Sequence, residues 1–363
     1  MTKSFEEQVE EWYGGVQMDI TKTDAPLLAA TTGVANVVYG AYAFAQYNNL
    51  AVTLGYLAKF APQRSGWRVD TAMGGAAGGI AEGGAMPDSV KNTYAEVSAE
   101  PQEVVHRFET STKVELMRGK DDMLGSLDED YRKGAITHAK KINAQLLGNV
   151  TTVAGNNINS IDRVCSSYGE VTNCGDVDAN DSDIYGLDRD AAATVHDAVV
   201  DENANVDRAL TLDLIRDLKA DIVGYGGKPS FILTNPDTNS QIESLVETTT
   251  RYSLAYDNVA PGANGVNKPG AAAGMEVVKL FGLPVVTDAD VVADGTGRIY
   301  MLDVNSEDGV PTLGLGLWKR TELIENKNIL LHGELNYEFA YYTAAELYCR
   351  KFRAQGKIRD LSA

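Results

Sequence analysis

The 363-residue chain is poor in the residues from which small active sites are most often built. It has three cysteines, Cys165, Cys174 and Cys349, and no Cys-x-x-Cys pair, which excludes a zinc ribbon and a thioredoxin-type redox site. Spacing alone leaves Cys165 and Cys174 two options, a small disulfide loop or a pair of reduced thiols. The four histidines, His106, His138, His196 and His332, are scattered, and neither His-Glu-x-x-His nor Gly-x-Ser-x-Gly occurs. No phosphate-loop spacing is present, and GYGGKPS at 224–230 misses it. Basic residues are scarce as well. Lys and Arg number 32 against 51 Asp and Glu, giving a formal charge of -19 and a pI near 4.6. The densest basic run, Arg350, Lys351, Arg353, Lys357 and Arg359, is too sparse to offset that field, so sequence-specific contact with nucleic acid is not expected. The opening MTKSFEEQVEEWY is charged and lacks the apolar core of a secretion signal.

What is present is globular material. A hydrophobic content of 44% over this length supports two or three modest domains. The acidic excess, much of it Asp, reads as an adaptation to concentrated salt and points to a halophilic source. At the N-terminus, Ser4 and Glu7 fit a capping box ahead of Phe5, Val9 and Trp12, a short amphipathic helix that needs a partner. Ala25 to Ala58 carries no charge, yet Thr31, Thr32, Asn36, Gln46, Asn48, Asn49 and glycines at 33, 40 and 55 argue for burial between protein surfaces rather than for a membrane span. Residues 65–90 hold three Gly-Gly pairs and read as a long flexible excursion.

Strict alternation from Val105 to Leu116 predicts a half-buried strand with His106, Phe108 and Thr110 inward and Arg107 and Glu109 outward. The stretch 126–150 predicts the longest helix. Ser126 and Glu129 form a capping box, Tyr131, Ala135, Ile136, Ala139, Ile142, Leu146 and Val150 make one stripe, and Gly148 ends it. At about 1.5 Å rise per residue such a helix spans a small domain and serves as a spine. Residues 176–207 then hold ten acidic residues against Arg189 alone. Asp176, Asp178 and Asn180 start like a calcium loop, but Asp181 replaces its turn glycine and Leu187 its bidentate Glu, so this segment reads as a solvated acidic insertion. From Leu210 onward helices and strands alternate. A helix through Leu212, Ile215, Leu218 and Ile222 is followed by a strand at 231–234 and a helix capped by Asp237. Strands follow at 276–280, 284–287, 298–304 and 314–319, with a closing strand through Leu335 to Tyr342.

No residue is assigned a catalytic, cofactor-binding or metal-binding role. His106 fits a hydrogen-bonded core position, and Asp288 and Asp290, although they follow a strand, stand in a chain full of Asp. An enzyme is not expected.

The order of these parts resembles the major capsid protein of tailed viruses, the Hong Kong 97-like fold, and its haloarchaeal members in particular. SGWRV, GGAMPDSV, the spine, FGLPVVTDADV and ELIENKNILLHGELNYEFAYYTAAELYCR carry the resemblance, over roughly residues 50–355. It implies an α+β fold with an N-terminal arm (1–60), an extended loop (61–117), a peripheral domain with the spine helix (118–154 and 322–363) and an α/β axial domain (209–321). The acidic insertion (155–208) would be an outward decoration. It further implies pentamers and hexamers in an icosahedral shell around double-stranded DNA, assembled in a host cytoplasm. The partners implied are portal, scaffolding or protease proteins and decoration proteins, with no cofactor and no membrane. Scaffolding would be a separate protein or be removed. Lys–Asn cross-linking, which some members use, has no assignable residues here. The rivals are an encapsulin-like cargo shell, a soluble halophilic α/β enzyme with a polar pocket near Thr287 and Asp288, and a membrane protein.

Overall fold

In the computed structural model, the structure describes residues 51–72, 80, 82–86, 91–112, 127–150, 156–174, 183–187, 189, 196–249, 277–291, 296–307, 309–327 and 336–362. The arm helix, most of the charge-free stretch, the tip of the Gly-rich excursion, Ser126 of the spine's capping box, the Asp-rich run 175–182 and His332 lie outside the described residues.

In chain order the elements are α1 (Val52–Tyr56), β1 (Ala58–Phe60), β2 (Gly66–Ala72), β3 (Thr93–Ser98), β4 (Gln102–Ser111), α2 (Leu127–Leu146), α3 (Ile161–Val164), α4 (Tyr168–Asn173), β5 (Val199–Asp201), α5 (Leu212–Gly224), β6 (Phe231–Thr234), α6 (Pro236–Thr249), β7 (Val277–Leu280), β8 (Leu283–Thr287), β9 (Thr296–Leu302), β10 (Ser306–Glu307), β11 (Val310–Pro311), β12 (Leu313–Asn326), β13 (Asn336–Cys349) and β14 (Gly356–Ser362). The described residues fall into two compact units, one drawn from Arg107–Gly134 and Glu325–Phe339, the other from Asn48–His106, Ala135–Ile324 and Ala340–Ala363. In the first, Phe108 stacks on Phe339 at 5.4 Å and Tyr131 meets Phe339 edge-on at 5.1 Å, while Arg107 pairs with Glu338.

The second unit holds a six-stranded sheet in the order β5-β14-β9-β6-β8-β7. β6 and β8 are parallel, whereas β9 runs antiparallel to both β6 and β14. α5 lays Ile215, Leu218 and Ile222 into the core shared with Ile358, Leu361, Ile299 and Met301, the face expected from its spacing. Thr211 caps α5 by accepting from Leu214 N. α6 starts differently from expectation. Asn235, not Asp237, is the cap, accepting from Thr238 N at 2.8 Å, and Pro236 takes the first helical position, where its missing N–H costs nothing. β7 and β8 join through Phe281 and Gly282, both at positive φ as a two-residue hairpin turn demands.

A four-stranded sheet follows the order β1-β12-β13-β4. β4 keeps the predicted alternation, with Val104 buried and Val105 exposed. Gly314 and Gly316 let β1 and the Tyr348 ring approach β12, since a Cβ at either would fall within 2.8 Å of Ala58 O or 2.4 Å of Tyr348 respectively. On α2 the buried side chains are His138, Ile142, Asn143 and Leu146, so the spine's inner face is partly polar rather than the purely apolar stripe expected.

Three expectations are corrected. The Gly-rich excursion does not begin as free coil: Gly66–Ala72 pairs antiparallel with Thr93–Ser98 from Gly66↔Ser98 onward. The acidic insertion is not an outward decoration in its described part. Ile158, Ile161, Val164, Cys165, Ile184 and Leu187 are core residues, and β5 adds to the sheet beside β14. Residues 356–362 form not a peripheral element but an interior strand of the six-stranded sheet, flanked by β5 and β9. Of the two options left for Cys165 and Cys174, the structure has the unbridged one: Cys165, Cys174 and Cys349 are all free and buried.

Candidate functional site: buried charge and exposed edges

Asp162 on α3 sits at the centre of the molecule's most unusual polar cluster. One oxygen meets Arg298 at 2.6 Å and accepts from Val150 N, while the other meets Lys357 at 3.0 Å and accepts from the Tyr300 hydroxyl. Glu170 on α4 holds both Lys357 and Arg359 at 2.7 Å, and Asp360 accepts from Arg359 and from the Asn203 and Asn205 amides. All six ionised side chains are buried, and three acids balance three bases. Burial alone would raise the Asp162 carboxyl, but Arg298 and Lys357 overcome it and hold that group well below the usual carboxylate range. A balanced, desolvated cluster of this kind fixes geometry; it offers no free group for chemistry.

A second cluster anchors the start of the described chain. Ala51 has no side chain with which to cap α1. Asp288 supplies the acceptor instead, taking the Thr53 amide at 3.1 Å and the Thr53 hydroxyl at 2.8 Å, while Asn143 of the spine takes the Leu54 amide. Asn143 also donates to Asp288 and Asp290, and Lys140 pairs with Asp290 at 2.7 Å. The two carboxylates that a strand-end active site would need are thus fully engaged in holding α1 and α2 to the loop after β8. Replacing Asp288 by alanine removes a buried acceptor of four donors, the Thr53 amide and hydroxyl, the Asn143 amide group and the Asp290 N–H. We expect a loss of about 2–3 kcal/mol and new protease cleavage within 51–57, read by limited proteolysis and urea unfolding.

The remaining singled-out residues are also structural. His138 contacts Thr343 at 2.7 Å, and burial, with His106 and Lys141 nearby, pushes its pKa down to about 4, so it is neutral at physiological pH. His106 and His196 are shifted the same way, chiefly by burial. The thiols of Cys174 and Cys349 are pushed up to about 11 and about 12 by burial, the opposite of a reactive cysteine. Cys174, Glu202 and Asp360 bring three donor atoms within 4.8 Å, but the thiol donates to Glu202 and Asp360 is occupied by Arg359 and two amides. Sequence reasoning missed Asp162, Glu170, Arg298, Lys357 and Arg359; its one signal was the alternation of Lys357, Ile358 and Arg359 inside the basic C-terminal run.

What the described surface does present is strand edge. The β2–β3 ribbon is two-stranded, β4 closes one side of its sheet, and β12 is covered by β1 only at Gly314–Gly316. Tyr94, Val105, Trp318 and Ile324 are exposed along these edges.

No family model matches the chain, and no curated protein matches it. Solved structures do. A chain of the cyanophage A-1(L) capsid asymmetric unit superposes with a TM-score of 0.63 at 16% identity, covering 89% of this chain and 96% of that one. The capsid of a native GTA particle gives 0.56 at 12% identity, covering 89% and 93%. A chain of Mycobacterium phage Bobi gives 0.52 at 11%, covering 90% and 96%. At these identities the likeness is one of fold: the chain has the α+β, Hong Kong 97-like fold.

Proposed function

We propose that this chain is a major capsid protein that assembles, as pentamers and hexamers of itself, into the icosahedral head of a tailed virus. The observation that carries the reading is the near-complete superposition on the cyanophage capsid chain, over 89% of one and 96% of the other. The chemistry is consistent with it: the buried ionised groups serve packing, and the exposed features are strand edges and a thin ribbon suited to contacts between copies. The finer reading adds double-stranded DNA held without sequence-specific contacts, assembly in a host cytoplasm, and portal, scaffolding or protease and decoration proteins as partners. In it the six-stranded sheet with α5 and α6 takes the axial role, and the spine with the β12–β13 strands the peripheral one. The charge of -19 supports a haloarchaeal host, because repeating it hundreds of times builds a repulsion that only concentrated salt screens, the Debye length falling from about 10 Å at 0.1 M to about 3 Å at 1 M. Among the described residues no helix is long and apolar enough to cross a membrane.

Electron microscopy of the purified chain across a salt dilution series tests this. Closed shells in multimolar salt that loosen on dilution are expected, and nuclease-protected DNA inside native particles separates a virus head from a cargo compartment. Monodisperse small oligomers at every salt concentration would overturn it.

A further inference from the structure

Strand β12 runs from Leu313 to Asn326, but β1 pairs with it only from Gly314 to Gly316, where Pro62 lies beside Gly316 and the chain departs. From Leu317 to Ile324 no strand covers that edge among the described residues, and Trp318, Lys319, Arg320, Thr321 and Glu322 are all exposed. A run of open backbone donors and acceptors this long templates another strand unless something blocks it. No proline interrupts it here. The side chains themselves indicate what fits. By strand alternation Trp318, Arg320, Glu322 and Ile324 share one face. Arg320 has no ion-pair partner among the described residues, and Glu322 uses one oxygen on Lys319.

We propose that β12 pairs edge to edge and antiparallel with β12 of a second copy, about a two-fold axis through Thr321. Such an axis, perpendicular to the sheet, keeps each face on its own side, so a residue can face only residues of its own parity. That leaves few registers. Centring on Arg320 opposes Arg320 to itself, and centring on Glu322 opposes Glu322 to itself; like charges directly opposite are destabilising. Centring on Thr321 sets Arg320 against Glu322 of the second copy and Trp318 against Ile324 of the second copy, each twice. Charge and apolar surface are therefore complementary in that register and frustrated in its two neighbours. The pairing rests on the shell reading only for the presence of a second copy, and it names one contact that joins copies.

The experiment is oxidative cross-linking of purified full-length chain carrying Thr321→Cys, with Val105→Cys on the opposite sheet edge as the control. The three native cysteines are buried and stay silent. We expect a dimer band on a non-reducing gel for Thr321→Cys, at least ten times that of Val105→Cys. A chain with Trp318→Cys and Ile324→Cys should give the same dimer through its own bridges. Adding Arg320→Glu to Thr321→Cys should abolish the band, and Arg320→Glu with Glu322→Arg should restore it. No excess over the control, or no rescue by the swapped pair, overturns the proposal. Microscopy of the same samples separates the two readings: shells without the dimer sink the strand pairing alone, and the dimer without shells sinks the capsid reading alone.

Discussion

Replacing Asp162 by alanine lowers the stability of the chain by about 3–5 kcal/mol, the cost of leaving buried Arg298 and Lys357 without their shared counter-ion. Urea unfolding followed by tryptophan fluorescence measures it. The effect is large because these cations have no route to solvent: Arg298 and Lys357 are within 1% of complete burial, and Arg359 beside them leans on Glu170. Removing Lys357 and Asp162 together should cost less than the sum of the single changes, since a Lys357→Met, Asp162→Ala chain strands Arg298 alone rather than both cations. The pH dependence follows from the direction of the shift. Asp162 is held far below its unfolded value, so its contribution is complete above about pH 4 and is lost only as pH falls through the folded value. The gap between parent and variant therefore stays constant from pH 8 down to about pH 5. A gap that closed already near pH 6 would mean that the cluster is not ionised as its geometry indicates.

That cluster also shows where the sequence was legible and where it was not. Periodicity located the spine, expected at 126–150 and observed as Leu127–Leu146, and the half-buried strand β4. It also located the strand at Phe231–Thr234 and the hairpin through Phe281 and Gly282. Each of these is decided by local pattern, apolar residues against water at a fixed period. β14 was not legible, because Lys357, Arg359 and Asp360 make it read as solvated, whereas the partners of Lys357 and Arg359 lie nearly two hundred residues away on α3 and α4. The same distance hid the role of the insertion. Asp162 and Glu170 look like more of an acidic, hydrated segment until β14 and β9 bring their cations to it. Asp288 was singled out for its place at a strand end, and that was sound as far as it went; that it would cap α1, a helix 235 residues earlier in sequence, depends on tertiary contact alone. The likeness in fold was legible because it rests on the order of elements, which such errors leave intact.

Glu346 should give the chain a stability that declines from acid towards neutral pH, and Glu346→Gln should remove most of that decline. Its carboxylate on β13 is buried, and one oxygen accepts from Asn159 N at 2.9 Å, Asn159 Nδ2 at 3.1 Å and Leu347 N at 2.9 Å. Burial pushes its pKa up to about 7, against those hydrogen bonds and the Arg163 charge, which pull it down. Tyr185 and Tyr348 face it as well, and both stay neutral because burial raises them too. The sign is fixed by linkage. A carboxyl whose folded pKa lies above its ordinary 4.5 binds a proton more tightly when folded, so its contribution is whole below pH 4.5 and is lost as pH rises to about 7. At about 1.4 kcal/mol per pKa unit the swing is roughly 3–4 kcal/mol. Glutamine keeps a carbonyl oxygen for Asn159 and Leu347 and cannot ionise. The variant should therefore match the parent at pH 4.5 and exceed it by roughly 3–4 kcal/mol at pH 8, corresponding to a higher melting temperature only at the upper end. Thermal melts of parent and variant at half-unit steps between pH 4.5 and pH 8.5 decide it. Parallel curves across that range would show that Glu346 is ionised throughout, carried by the Asn159 and Leu347 donors and by Arg163 despite its burial.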